Sequence, residues 1–114
     1  MDFETLPEYD KDLKSLLNKY CTLAADIEDV KKVLEVRPTA HPPFSFIIDG
    51  LGIESCVIKV KKIVSDGFKG KGKNAGFRLV YAYFQEIGKI VLVELYHKND
   101  KESEDRERIL ANFK

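Results

Sequence analysis

The sequence predicts an α+β fold in which an N-terminal helical hairpin packs on an antiparallel meander sheet and a short C-terminal helix follows. Three observations carry this. Apolar residues recur at helical spacing up to Pro38, the period changes to strand-like alternation after Gly52, and residues 100–114 return to a charged, helix-forming composition. At 114 residues the chain is read as one domain, 1–114, long enough to bury a core without disulfide or metal staples.

The elements follow in order. "MDFET" suits a short first strand with Phe3 turned inward. Thr5 and Glu8 have capping-box spacing and Pro7 suits a first helical turn, so a helix is expected to start there. Leu13, Leu16, Leu17 and Tyr20 form its apolar stripe, and Leu23, Ile27, Val30 and Leu34 form that of a second helix over residues 22–36. The short link between them makes an antiparallel hairpin. "RPTAHPPFSF" reads as an extended connection without regular structure. "CVIKVKKIV", "GFRLVYAYF" and "KIVLVELYHK" then read as three consecutive strands. The tail is a final helix with Ile109, Leu110 and Phe113 as its few apolar contacts.

Composition excludes several classes. No apolar run approaches the roughly 18 residues of a membrane helix. The acidic start "MDFETLPEYD" lacks the basic and apolar regions of a secretory signal, so a cytoplasmic protein is expected. Cys21 and Cys56 share no metal-ligand spacing and read as small buried thiols; neither a metal nor a cofactor is expected.

Charge is distributed unevenly. Residues 59–78 carry seven lysines and arginines against the single carboxylate of Asp66, a net of +6 on a chain whose formal charge is zero. Such a segment suggests a polyanion site. Within it, "GFKGKGKN" places Gly67, Gly72 and Lys73 at the spacing of a nucleotide-binding loop. Asn74 stands where magnesium needs a hydroxyl, and the segment leads into a strand-like run where a phosphate loop opens a helix. It is a hairpin loop whose Lys69, Lys71 and Lys73 are candidates for sequence-independent phosphate contacts.

Strand periodicity sorts the sheet into two faces. One set is Ile58, Val60, Phe77, Leu79, Tyr81, Tyr83, Val91, Val93 and Leu95. Strict alternation turns Val80, Ala82, Ile90 and Leu92 to the other side. There too stand Lys59, Lys61, Arg78, Glu94, Tyr96 and Lys98. Four cations, a carboxylate and an aromatic ring on one face suit RNA chemistry. The cations neutralise a scissile phosphate, and Tyr96 is a ring for stacking on an unpaired base. A half-exposed antiparallel sheet also ordinarily has a charged outer face, and the pattern alone leaves both readings open.

The order of helix hairpin, "CVIKVKK", "GKNAGFRLVYAY" and "KIVLVELYHKND" resembles the RelE/ParE toxin superfamily, nearest the RelE and HigB branch of mRNA interferases. The resemblance spans nearly the whole chain and is most specific in "KVK", "GFRLVY" and the closing "YHK". It implies the toxin of a type II toxin-antitoxin system, a metal-independent endoribonuclease that cuts messenger RNA on the ribosome. It implies as partners an antitoxin, message and ribosome, and operator DNA only through the toxin-antitoxin complex. By position, Lys59 and Lys61 match lysines of proton transfer and phosphate stabilisation. Arg78 matches the arginine on the reacting phosphate, and Lys98 falls near the group that protonates the leaving oxygen. His97 is a lesser candidate, because alternation turns it to the core. The alternatives are a ParE-like inhibitor of DNA gyrase and a catalytically silent relative that only binds its antitoxin.

Overall fold

The computed structural model describes residues 1–61, 63 and 76–114. Among the described residues the elements are β1 (Asp2–Thr5), α1 (Pro7–Leu17), α2 (Leu23–Val36), β2 (Ser45–Ile47), β3 (Cys56–Val60), β4 (Phe77–Phe84), β5 (Lys89–His97) and α3 (Arg106–Phe113), with a 3₁₀ turn at Gln85–Ile87. The α+β reading holds. The sheet has five strands in the order β1-β5-β4-β3-β2. The antiparallel meander β3–β4–β5 forms its centre, as the alternation predicts.

Two strands extend the meander. β1 pairs in parallel with β5, Asp2 opposite Lys89 through Thr5 opposite Leu92, so the sheet is mixed rather than purely antiparallel. β2 pairs with β3, with Phe46 opposite Lys59. It lies inside the stretch expected to lack regular structure. Prolines end before Phe44, and "FSFII" has the alternation and branching of an edge strand, which needs ladder bonds on one side only. Its Ser45 is buried, and the hydroxyl accepts the His41 N–H at 3.0 Å.

The helix starts also differ in detail. Pro7 opens α1, but the cap is Leu6, without a side-chain hydrogen bond. Thr5 is held in β1, and the Leu6 N–H continues the ladder to the Leu92 carbonyl at 3.0 Å, so no capping box forms. Cys21 is exposed in the turn between the helices, contrary to the buried reading, because the turn itself lies at the surface. Cys56 is half-buried, and burial pushes its thiol pKa up.

The main core lies between the hairpin and one face of the sheet. Tyr9, Leu23, Ile27, Val30 and Leu34 pack on Ile58, Val60, Phe77, Leu79, Tyr81, Ile90, Leu92 and Leu95. Strict alternation fails on β5. Val80 pairs with Glu94 and Tyr81 with Leu92, leaving Val93 as an extra residue. A bulge of this kind moves every side chain on one side of it to the opposite face. Ile90 and Leu92 therefore join the helices, against the expectation. Val93 packs on the outer face, and Val91 lies opposite outward-facing Ala82. Leu95, Glu94 and Tyr96 stay where alternation places them.

The outer face is partly apolar and carries α3. Val57, Val80, Ala82, Val93 and Tyr96 form a second core with Ile109, which is fully buried. A clasp at the sheet edge adds to this docking. Beyond Thr5 no strand among the described residues borders the outer edge of β5, so its polar groups need side-chain partners. Asp12 Oδ2 of α1 accepts the Leu95 N–H at 3.1 Å, and Arg108 of α3 donates to the Val93 carbonyl at 2.9 Å. The two side chains also pair at 2.7 Å. Burial works against the Arg108 charge, but the hydrogen bond and charge of Asp12, with Glu94 and Asp105, leave its pKa raised. The tail is thus held more firmly than its three apolar residues suggest.

Candidate functional site

β3 and β4 present the basic residues, and the tail meets them. Lys59 is the penultimate residue of β3, where period two directs it away from Ile58 and Val60 and so away from the helices. Lys61 follows the strand end; its N–H bonds the Phe44 carbonyl at 2.9 Å, and its ammonium lies 4.8 Å above the Phe46 ring. Arg78, near the start of β4, donates through Nη1 to the Lys61 carbonyl at 3.4 Å and to the Phe77 carbonyl at 3.1 Å. The guanidinium is thereby carried to Lys61. Tyr96 faces Arg78 across the β4–β5 ladder.

Lys59 and Lys61 share an open pocket of about 240 Å³ with Phe46, Asp49, Glu104 and Arg106. Glu104 and Arg106 belong to the tail, and sequence reasoning passed over both. One oxygen of Glu104 accepts from Lys59 Nζ at 2.8 Å, and the other lies 3.3 Å from Arg106 Nε. The Glu104 side chain is 5% exposed and that of Lys59 17%. Burial opposes the Glu104 charge, but the hydrogen bond from Lys59, a backbone hydrogen bond, and the Lys59 and Arg106 charges together hold its pKa below the ordinary carboxylate value. Arg106 is fixed at its far end by a 3.2 Å bond to the Asp49 carbonyl. The signal that would have found these residues is the mixed charge of "ESEDRER" beside a basic sheet face. A local charge pattern carries no information about which distant strand it meets.

Two more of the outer-face candidates, besides Lys59, are engaged by the tail. Glu94 is buried, takes an ion pair from Lys101 and accepts the Asp105 N–H at 2.7 Å, so it anchors the approach to α3. The Lys101 ammonium also lies 5.2 Å over the Tyr96 ring. Tyr96 is only 6% exposed, so in this arrangement its ring is not presented to a base. Burial, with the Glu104 and Glu94 charges, pushes its hydroxyl up to about 12. It remains a neutral phenol at any ordinary pH.

The remaining candidates lie apart. Lys98 is exposed in the turn after β5, its N–H bonded to the Gly76 carbonyl at 2.8 Å. His97 turns toward the helices: its ring stacks parallel to Tyr20 at 6.2 Å and meets the Phe77 ring edge-on at 4.9 Å. Its Nδ1 accepts the Asn99 N–H at 3.1 Å. A β-carbon on Gly76 would come within 2.4 Å of the same ring, so glycine is needed there for close approach. His97 is therefore a packing residue on the helix side. Lys69, Lys71 and Lys73 lie outside the described residues. The next described element, β4 from Phe77, is a strand, so no helix opens where a nucleotide-binding motif needs one. Among the described residues no group of three or more His, Cys, Asp or Glu could hold a metal ion, and no helix is long and apolar enough to cross a membrane.

No protein-family model matches the chain, and no curated protein matches it by sequence. Its structure is similar to a chain of the archaeal RelE-RelB complex from Pyrococcus horikoshii OT3, with a TM-score of 0.58. Identity is 14%, and the match covers 88% of this chain and 97% of the other. At that identity the likeness speaks for the fold. It agrees with the resemblance read from "KVK", "GFRLVY" and "YHK", and the element order agrees as well. The chain has a RelE-like fold.

Proposed function

We propose that residues 1–114 form a single toxin domain of a type II toxin-antitoxin system, an mRNA interferase that cleaves messenger RNA on the ribosome and so arrests translation. The observation that carries this reading is the juxtaposition of Lys61 and Arg78 across β3 and β4 of a RelE-like sheet, with Lys59 one pleat away. Cations in that arrangement fit a phosphate whose negative charge grows during reaction.

The reaction this set of residues suits is internal transesterification. The message 2′-oxygen attacks the adjacent phosphorus, the bond to the 5′-oxygen breaks, and a 2′,3′-cyclic phosphate and a 5′-hydroxyl result. Lys59 and Lys61 share removal of the 2′-proton and stabilisation of the phosphorane, and Arg78 grips its non-bridging oxygens. Lys98, which lies apart from them in the free chain, has to be brought in by the bound message to supply the proton to the departing oxygen. Tyr96 stacks on a base once the tail has moved from its ring. Lys69, Lys71 and Lys73 add affinity without sequence preference. The chain works in the cytoplasm, is neutralised by an antitoxin, and meets operator DNA only within that complex. The archaeal neighbour, itself a RelE-RelB complex, supports a partner of this kind.

The ion pair between Lys59 and Glu104 and the burial of Tyr96 favour a second reading, a catalytically silent relative that only binds its antitoxin. Induced expression of the chain alone separates the possibilities. The expected result is loss of labelled amino-acid incorporation within minutes, with new 5′ ends inside translated messages. Normal incorporation with altered DNA supercoiling would point to gyrase, and neither change would point to the silent relative.

A further inference from the structure

The pocket beneath the tail has a feature that the proposed cleavage does not require: a carboxylate held between two cations that could otherwise bind a phosphate. Glu104 sets one oxygen on Lys59 and the other on Arg106, while Lys61 lines the same pocket. A phosphodiester also offers two oxygens sharing one negative charge, and Arg and Lys donors bind either group by the same charge-assisted hydrogen bonds. The pocket opens to solvent, and its Phe46 ring, half-buried beside the Lys61 ammonium, provides an aromatic face next to the cations. Phosphate donors next to an aromatic face are the ordinary elements of a single-strand site. Glu104 itself lies in the irregular segment between β5 and α3, so it can swing away without a helix turn unwinding.

We propose that Lys59, Lys61 and Arg106 form a subsite for a backbone phosphate of single-stranded RNA, and that Glu104 fills it in the free chain as a built-in competitor. This rests on the RNA reading above and adds to it Arg106 as a phosphate ligand and Glu104 as the group an incoming strand must displace. Arg106 is prepared for the role, since its Nη1 also bonds the Asp49 carbonyl at the pocket, a contact separate from the one its Nε makes with Glu104.

The test measures equilibrium binding of a 2′-O-methyl oligoribonucleotide, which lacks the attacking hydroxyl, and separately of inorganic pyrophosphate. Wild type is compared with Glu104→Gln, which keeps the shape and an acceptor for Lys59 but removes the charge. Glu104→Asp, still charged but one methylene too short to span both cations, is measured in parallel and decides the matter if the glutamine variant fails to fold. Both substitutions should tighten oligonucleotide binding by about tenfold, the worth of one freed charge-assisted contact. The salt dependence should steepen by about one phosphate contact. Adding Arg106→Gln to either should abolish the gain. Wild-type RNA binding with no gain in the variants overturns the competitor and leaves the RNA reading intact. A gain for pyrophosphate with no RNA binding in any form keeps the anion subsite but removes RNA as its ligand. No gain for either probe overturns the proposal.

Discussion

Arg78→Ala is expected to lower the rate of message cleavage by about 10²–10³-fold, the usual cost of removing one preorganised donor from a developing oxyanion. The guanidinium is set beside Lys61 by its bonds to the Lys61 and Phe77 carbonyls, so its position is fixed before substrate arrives. That preorganisation is what an alanine removes. Arg78→Lys should recover only part of the rate, because an ammonium cannot offer two parallel donors to a phosphate. Circular dichroism and thermal melting should show both variants folded, since the Arg78 side chain lies outside both apolar clusters. A folded Arg78→Ala chain that cleaves at the wild-type rate would remove Arg78 from the reaction.

Asp12→Ala is expected to destabilise the chain by about 3 kcal/mol, near the lower end for breaking a buried ion pair, because both partners keep some solvent contact. The substitution leaves the Arg108 guanidinium without its carboxylate and the Leu95 N–H without its acceptor. Unpaired groups of this kind cost more than the pair gains, so Asp12→Asn, which can still accept the Leu95 N–H, should lose distinctly less. Urea denaturation of the three proteins measures both differences. A loss of under about 1 kcal/mol for Asp12→Ala would place the clasp among ordinary surface ion pairs. Arg108 is next to Ile109, the buried anchor of α3, so weakening the clasp should also loosen the segment that brings Glu104 to Lys59. The same clasp argues against a freely dispensable tail: deleting residues 103–114 would expose Val57, Val80 and Val93 as well as remove α3.

Most of the fold was legible because most elements declare themselves by period. The stripes Leu13–Leu17 and Leu23–Leu34, the second and third strand runs and the C-terminal helix stand where their spacing places them. Tyr20, by contrast, lies three residues past the end of α1. Of "CVIKVKKIV", Cys56–Val60 is strand while Lys62 and Val64 lie outside the described residues. Failures came where one local rule met a longer-range one. Thr5 has cap chemistry, yet its backbone is claimed by β5, and ladder bonds prevail over a cap. The segment after Pro43 looks irregular beside its prolines, yet the free edge of β3 recruits Ser45–Ile47. On β5 the extra residue Val93 reversed Ile90 and Leu92, and nothing in "KIVLVELYHK" marks a bulge, since a run apolar on both faces satisfies either register.

The geometry of the candidate site was legible in its sheet residues and hidden in its tail. Lys59, Lys61 and Arg78 come to one face because strand alternation is a local property. The placement of Lys98 in a turn, the covering of Tyr96 by Lys101, and the roles of Glu104 and Arg106 all depend on where the chain goes after β5. That path is set by the docking of Ile109 and by the Asp12 clasp, which are contacts between residues far apart in sequence.

If the cationic face of this RelE-like sheet cleaves message by attack of the message's own 2′-hydroxyl, the chemistry of the new ends will show it. The most direct test is to incubate the purified chain with ribosomes programmed by a defined message and to determine the chemistry of both new ends. The expected result is a cut at the codon being read, with a 2′,3′-cyclic phosphate on one fragment and a 5′-hydroxyl on the other, and no cut in a message carrying 2′-deoxy sugar at that codon. Intact message under these conditions, or cleavage of the 2′-deoxy message at the same rate, would contradict it.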